Sequence, residues 1–251
     1  MTQDTWQRPP FHSTEFDPGL HRKFLVQSVP NFVEHLQEVN DILNAADEYR
    51  GADGQNLDPV RIVMFFYFLR MTHKLAPGDY MECGTFRGFS ARMIWRWMDQ
   101  ASKLYCFDTF EGFAEPDVKV ETELYQSNWT VGNFQPTSEA MVRGHVLGGD
   151  ESRADQLSIV KGWLPASFEP YADKSWRFVH LDMDLYLPHK EMIERVWPKL
   201  VPGGILLMHD YHNSGFPGVK KSADEYLNPL GISCVPLPDW GGSAVAIKPL
   251  V

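Results

Sequence analysis

The pattern of apolar and polar positions changes character near Pro77. Before this residue, two helices are predicted, one over 31–49 and one from Asp58-Pro59 to about Lys74, while residues 1–30 lack periodicity and are expected to form an arm. After it, short apolar strands alternate with helices, which is typical of the α/β class. The predicted strands cover 80–83, 104–107, 157–160, 178–182, 204–208, 232–236 and 244–248, and the predicted helices cover 88–99, 189–200 and 219–227.

Two features of this pattern refine the domain organisation. The polar stretch 111–153 lacks clear periodicity and is predicted to be a long loop, whose aromatic residues Trp129 and Phe134 favour a lid over a site. The last two strands are joined by a short Pro/Gly loop and must therefore be antiparallel. We expect an N-terminal arm and helices over 1–76 that cap the site or contact another subunit. A sheet domain follows over 77–251, with a lid-like insertion at about 113–155.

Composition narrows the class of protein. Asp and Glu number 33 against 23 Lys and Arg, giving a net charge of −10 that disfavours binding to nucleic acid. The three cysteines form no CxxC pair, which fits a reducing compartment. The first residues lack the features of a signal peptide, and the most apolar run, Val60 to Met71, is too short to span a bilayer. We expect a cytoplasmic protein that binds neither nucleic acid nor membrane.

A first candidate site lies at the end of the strand over 80–83. Glu82 ends the strand, Gly84 turns the chain, and a helix begins after it. Ligands of open α/β sheets bind beyond the carboxyl ends of the strands. Glu82 can accept hydrogen bonds from an amine there, and the first amides of the helix can hold a carboxylate. An amino-acid group suits this corner, held by Glu82, Gly84, Thr85, Arg87 and Ser90.

The next two strands add a candidate nucleoside site. Asp108 ends the second strand, and an acid there can accept hydrogen bonds from both hydroxyls of a ribose. Phe110, after Thr109, can stack beside a base, and Gly162-Trp163 follows the third strand. The pattern G-x-G-x-x-G of a dinucleotide site is absent, because the glycines are 84 and 88. The alternative is that Glu82 and Asp108 are ordinary carboxylates at strand ends.

A second cluster of polar residues lies at the ends of the strands over 178–182 and 204–208. Asp182 and Asp184 are two positions apart and point to the same side, where two carboxylates are costly unless a positive group lies near them. His209 and Asp210 follow the next strand. If these two strands are neighbours, the side chains of Asp182, His209 and Asp210 converge. A metal ion or a cationic ligand would balance their charge.

Several longer motifs resemble those of the macrocin-type O-methyltransferases, over about residues 78–248. They are E-C-G-T-F-R-G, F-D-T-F-E-G-F, K-G-W, H-L-D-M-D-L-Y, P-G-G-I-L-L-M-H-D-Y and G-V-K-K-S-A-D-E-Y. The resemblance implies a class I methyltransferase fold, with a doubly wound, mostly parallel seven-stranded sheet, an antiparallel C-terminal hairpin and an N-terminal helical extension. It also implies a homo-oligomer. The cofactor would be S-adenosylmethionine, bound by Glu82, Gly84, Thr85, Arg87, Ser90, Asp108, Thr109, Phe110, Gly162, Trp163 and Asp182.

The resemblance also implies roles for the acidic cluster. Asp182 and Asp210 would bind a metal ion and Asp184 would act as the general base. The family has an Asp where this chain has His209. Mg²⁺ prefers oxygen ligands, whereas imidazole suits Zn, Fe or Ni. Three arrangements stay open: Mg²⁺ held by two carboxylates and water, a softer metal with His209 as a third ligand, or no metal, with His209 sharing the role of base.

The function that the resemblance implies is methylation of a deoxysugar hydroxyl. The acceptor would be a small molecule, either a glycosylated natural product or its nucleotide-activated sugar precursor, in antibiotic biosynthesis. Three alternatives are a catechol-like phenol as acceptor, a non-catalytic partner protein that binds S-adenosylmethionine, and a metal-dependent hydrolase. The hydrolase would leave the positions of Glu82 and Asp108 unexplained.

Overall fold

The computed structural model describes residues 58–135 and 137–250, so the predicted arm over 1–30 and helix over 31–49 lie outside the described residues. The chain divides into two compact units, 1–63 and 64–251. Residues 58–63 of the first unit are described and form the start of a helix. There Asp58 Oδ1 accepts a hydrogen bond from the amide of Val60 at 2.9 Å, so the predicted cap is confirmed.

Six helices and seven strands make up the regular structure of the described residues, apart from short 3₁₀ turns. The helices are α1 (Pro59–Thr72), α2 (Phe89–Trp97), α3 (Glu115–Tyr125), α4 (Glu139–Leu147), α5 (Tyr186–Val196) and α6 (Pro217–Leu227). The strands are β1 (Asp79–Cys83), β2 (Leu104–Asp108), β3 (Leu157–Lys161), β4 (Trp176–Leu181), β5 (Leu200–Met208), β6 (Val235–Pro236) and β7 (Ala244–Ile247). None of these helices is long and apolar enough to cross a membrane.

All seven strands belong to one sheet, in the order β3-β2-β1-β4-β5-β7-β6. The first five strands in this order are parallel to one another, whereas β7 runs antiparallel to both β5 and β6. The doubly wound fold and the antiparallel hairpin are therefore confirmed. The chain passes from β1 to β2 on one side and reaches β4 on the other, and ligands of such sheets bind at this switch point.

The core on one face of the sheet follows from the alternation of strand side chains. Met81 and Cys83 of β1 pack with alternate residues of the neighbouring strands in a buried apolar cluster. Residues of α5 and α6, such as Ile193 and Val219, complete this cluster from the helix layer. The tips of the strands are thus anchored by a packed interior.

The prediction of a long loop over 111–153 was wrong, because the segment contains α3 and α4. Helix α3 packs against α5 and α6, and α4 packs against α2. The apolar periodicity of α3 is weak because its buried positions include the acids Asp117 and Glu121. The helix predicted over 189–200 also lies earlier, at Tyr186–Val196. A lid role for the insertion stays a prediction.

Candidate active site

The carboxyl ends of β2, β1, β4 and β5 lie side by side at one edge of the sheet. Backbone hydrogen bonds continue beyond the strands: the amide of Asp182 donates to the carbonyl of Cys83 at 2.8 Å, and the amide of His209 donates to the carbonyl of Leu181 at 2.9 Å. The residues that follow these strands are therefore held in register. The expected adjacency of the segments at Asp182 and His209 is found.

The same edge concentrates unusual backbone conformations. Phe86, Phe110, Asp184 and Asp210 follow β1, β2, β4 and β5, and have φ angles of 49°, 56°, 64° and 58°. Residues other than glycine rarely adopt this left-handed region, although Asp tolerates it better than Phe. Such strain persists only where the surroundings enforce it, and it clusters at functional sites. This edge is the candidate active site.

Gly84 has a clear structural reason to be glycine. Its φ is +80°, and a Cβ atom there would lie 2.0 Å from the carbonyl oxygen of Asp182. No other residue fits this turn without moving the segment after β4. The absence of a side chain thus brings the ends of β1 and β4 together. Contact between Gly84 and a ligand stays a prediction.

Glu82 lies deeper than the sequence suggests. Its side chain is completely buried, and Oε1 is 2.9 Å from Nδ1 of His180 on the adjacent strand β4. The interpretation of His180 as a core histidine with a hydrogen-bond partner is confirmed. The role of Glu82 as acceptor of a ligand amine stays a prediction, because a ligand would have to approach this interior pair.

Asp108 organises the loops that follow β1 and β2. Its Oδ2 accepts a hydrogen bond from the amide of Phe86, and its Oδ1 accepts one from the amide of Phe110, both at 2.7 Å. Burial raises the pKa of Asp108, and these amide bonds partly oppose the shift. A carboxylate oxygen can accept more than one hydrogen bond, so both oxygens can still receive ribose hydroxyls.

The other predicted residues near β1 surround the start of α2. Thr85 and Ser90 are buried, and the guanidinium of Arg87 lies 5.1 Å from the ring centroid of Phe86. The helix begins after Gly88, which has no side chain with which to cap it. The binding of a carboxylate by the first amides of α2 stays a prediction.

The predicted residues that follow β2 and β3 lie beside Asp108. Thr109 Oγ1 donates to the carbonyl of Gly112 at 2.7 Å and closes the turn that contains Phe110. The amide of Gly162 donates to the carbonyl of Asp108 at 2.9 Å. Trp163, one residue further, is 36% exposed. The structure thus brings Asp108, Gly162 and Trp163 to one part of the edge.

The acidic cluster is compact. Nδ1 of His209 lies 2.9 Å from Oδ1 of Asp182 and 2.8 Å from Oδ2 of Asp210. Asp210 is buried, and its Oδ1 accepts a hydrogen bond from Nδ2 of Asn213 at 2.6 Å. One imidazole nitrogen therefore lies between two carboxylates, which is the convergence that the sequence predicts.

Asp184 lies against this cluster and has a strongly perturbed acidity. Burial raises its pKa well above the usual range of an Asp, and the charges of Asp210 and Asp182 raise it further. The nearby His209 acts in the opposite direction. Ionisation of Asp184 is thus favoured when a cation balances the other carboxylates.

Two residues of the cluster were missed by the sequence analysis. A Cβ atom on Gly241 would lie 2.1 Å from Nε2 of His209, so the glycine leaves room for the imidazole. Asn213 holds Asp210 from the other side. Both residues lie in loops whose packing has no periodic signal. The sequence gives one indication of Gly241. The imidazole of His209 is larger than the Asp side chain that the resembling family has at this position, so a residue beside it has to be small.

The donor atoms of Asp182, His209 and Asp210 can be tested as a metal site. One ligand atom from each lies within 4.8 Å of the others. Two carboxylates and an imidazole suit a divalent cation. In this arrangement, however, Nδ1 of His209 already contacts both carboxylates. The residues fit a metal ion if these contacts are exchanged for metal–ligand bonds.

Comparison with known proteins gives a family for this architecture. The family model described as "Methyltransferase domain" matches residues 81–211. The structure of CalS11, a calicheamicin methyltransferase, has a TM-score of 0.63 and 18% sequence identity, covering 96% of this chain and 94% of that one. The O-methyltransferase NovP has a TM-score of 0.56 and 21% identity, covering 75% and 80%. At these identities the likeness supports the class I fold.

Two curated proteins are similar in sequence. The 8-demethyl-8-(2,3-dimethoxy-alpha-L-rhamnosyl)-tetracenomycin-C 4'-O-methyltransferase of Streptomyces olivaceus is 25% identical over 178 residues, which are 67% of this chain and 65% of that protein. The mycinamicin III 3''-O-methyltransferase of Micromonospora griseorubida is 28% identical over 164 residues, or 62% and 63%. The chain thus spans less than two thirds of either relative. Because the family model covers more than half of its residues, the chain belongs to the methyltransferase-domain family.

Proposed function

We propose that this chain is an S-adenosylmethionine-dependent O-methyltransferase that methylates a hydroxyl group of a deoxysugar. The observation that carries the proposal is the meeting of two sites at one edge of the sheet. Gly84 in the turn after β1 packs directly on the backbone of Asp182, next to the contact between His209 and Asp182. A methyl donor bound at the ends of β1 and β2 therefore lies beside the acidic residues that follow β4 and β5.

The cofactor side fits the parts of S-adenosylmethionine. The start of α2, which no side chain caps, takes the carboxylate of its amino-acid end, and Asp108 takes the ribose hydroxyls. Phe110 and Trp163 border the adenine. The cofactor, when bound, supplies an electrophilic methyl group on a sulfonium.

The acidic cluster supplies the base. A sugar hydroxyl is a weak nucleophile until its proton is removed, and Asp184 would accept that proton; the bound cofactor would supply the methyl group that the oxygen takes up. Its environment raises the pKa of Asp184, so its carboxylate is a stronger base than an exposed one. His209 contacts Asp182 and Asp210 and limits the repulsion that Asp184 experiences.

A divalent cation at Asp182, His209 and Asp210 is part of the proposal. It would lower the pKa of a coordinated hydroxyl and orient it. The test is turnover after treatment with EDTA and after re-addition of Mg²⁺ or Mn²⁺. We expect EDTA to lower turnover and His209→Asp to make it more dependent on Mg²⁺. If EDTA changes the turnover of neither the unmodified protein nor the His209→Asp variant, no metal acts at this cluster.

The acceptor class is drawn from the relatives, one of which is named for a rhamnosyl group and another for mycinamicin III. The experiment incubates the protein with S-adenosylmethionine and TDP-rhamnose, mycinamicin III or catechol, and measures methylated product by mass spectrometry. We expect methylation of a sugar and none of catechol. Methylation of catechol alone would overturn the acceptor class. Failure to bind S-adenosylhomocysteine in calorimetry would overturn the proposal as a whole.

The variant Asp184→Asn tests the assignment of the base. It keeps the shape of the side chain but cannot accept the proton, so we expect turnover to fall by about 10²–10⁴-fold. The Kd of S-adenosylhomocysteine should stay within about twofold, because Asp184 serves the acceptor side. Near-normal turnover would assign the base elsewhere, with His209 the next residue to test.

A further inference from the structure

Trp163 is a large aromatic residue that the fold leaves partly open. It follows β3 at the edge of the sheet that carries the candidate active site, and it is 36% exposed. Its neighbour Gly162 is fixed to the carbonyl of Asp108, which follows the adjacent strand. The ring therefore has a defined place near Asp108, but its backbone position alone does not determine its rotation.

A buried carboxylate accepts a hydrogen bond from this ring. Nε1 of Trp163 donates a hydrogen bond to Oδ2 of Asp117 on α3 at 2.9 Å. Asp117 is 6% exposed, and its other oxygen, Oδ1, is buried with no hydrogen-bond partner. The indole N–H is a donor with no acceptor capacity, so it requires a partner of this kind.

The burial of the Asp117 carboxylate lowers the free energy of unfolding. Burial raises the pKa of Asp117 to about 6, and the bond from Trp163 opposes the shift only in part. A buried oxygen without a partner also lowers stability and needs a reason to persist. An apolar residue would suit a buried position on α3 better. The feature that requires an acceptor at this position is the indole of Trp163.

We propose that Asp117 is a positioning residue that holds the exposed ring of Trp163 as a wall for the purine nucleoside part of the methyl donor. The inference rests on the proposed function, which assigns the nucleoside to Asp108, Phe110 and Trp163. To these nucleoside-binding residues it adds Asp117 on α3, which does not touch the nucleoside and acts by orienting the indole of Trp163. A hydrogen bond that only joined α3 to the loop after β3 would not need a ring that solvent can reach.

The experiment measures binding of S-adenosylhomocysteine by calorimetry to four variants. Asp117→Leu removes the acceptor, whereas Asp117→Asn keeps an amide oxygen for the indole N–H. Trp163→Phe keeps an aromatic ring but removes the donor, and the fourth variant combines Asp117→Leu with Trp163→Phe. Glu123→Leu is the matched control, because Glu123 is an exposed acid on the same helix. Thermal unfolding of each variant reports folding separately.

We expect Asp117→Leu and Trp163→Phe each to weaken binding by about tenfold, the effect of one hydrogen bond. Asp117→Asn should stay within about twofold of the unmodified protein, and the combined variant should bind no worse than either single one. Glu123→Leu should bind normally.

Three results would overturn the inference. One is normal binding by Trp163→Phe, which is decisive even if Asp117→Leu does not fold. Another is normal binding by a folded Asp117→Leu that is merely less stable. The third is a combined variant whose losses simply add. If the unmodified protein fails to bind S-adenosylhomocysteine, the proposed function is wrong, and this inference is wrong because it rests on that function.

Discussion

At the scale of single residues, the acidic cluster is the part of the site that the sequence predicts best. Asp182 ends one predicted strand, His209 and Asp210 follow the next, and neighbouring parallel strands bring such residues together. The supporting residues Gly241 and Asn213 could not be predicted in this way. Their contacts depend on how two loops fold over the sheet edge, and no short-range pattern encodes that packing.

The contact of Gly241 with His209 leads to a prediction. In Gly241→Ala, the new methyl group would lie 2.1 Å from Nε2 of His209 and would displace the imidazole from Asp182 and Asp210. We expect turnover to fall by more than about tenfold, since small displacements of catalytic groups have large effects. The measurement is the rate of methyl transfer to the accepted sugar.

A background variant and a control make this prediction specific. His209→Asp removes the ring, so adding Gly241→Ala to it should cause little further loss. Gly144→Ala is the control, because a Cβ atom at Gly144, within α4, meets no atom within 4 Å. An equal loss from Gly241→Ala with and without His209 would show that the glycine does not act through the imidazole.

At the scale of elements, the strands and most helices of the sheet domain follow from apolar periodicity, but α3 does not. Its buried face includes Asp117 and Glu121, and Glu121 Oε2 accepts the amide of Tyr186 at the start of α5 at 2.8 Å. A helix that buries acids loses the apolar stripe on which prediction relies. The polar interior face thus explains why α3 was missed, but it does not explain α4, which was also missed and buries the apolar residues Val142, Val146 and Leu147.

This packing makes the contribution of α3 to stability depend on pH. Folding raises the pKa of Asp117 from 3.8 to about 6, so the folded state binds the proton more tightly than the unfolded state. The free energy of unfolding should therefore decrease as pH rises through this interval. The shift of about two units corresponds to at most about 3 kcal/mol.

Asp117→Asn tests this dependence, because the amide carries no charge at any of these pH values. In urea denaturation, we expect the variant to gain stability relative to the unmodified protein at about pH 8 and to gain much less at about pH 4.5. Glu123→Gln, at an exposed position of the same helix, should show no such difference. A gain that is equal at both pH values would contradict the account.

At the scale of the whole molecule, the sheet order explains why one edge carries both halves of the site. The strands β1 and β2 hold the candidate donor residues, whereas β4 and β5 hold the acidic cluster, and β1 is paired with β4. The sequence predicts the alternation of strands and helices, and the resemblance adds the topology. The regions 1–76 and 77–251 remain a proposal for the domain organisation, as does assembly into a homo-oligomer.

The most direct test of the central claim is a crystal structure with S-adenosylhomocysteine bound. The account predicts that its carboxylate lies at the start of α2, its ribose at Asp108, and its sulfur within a few ångströms of the turn from Asp182 to Asp184. A donor bound at the opposite end of the sheet, or with its sulfur far from Asp184, would contradict the account.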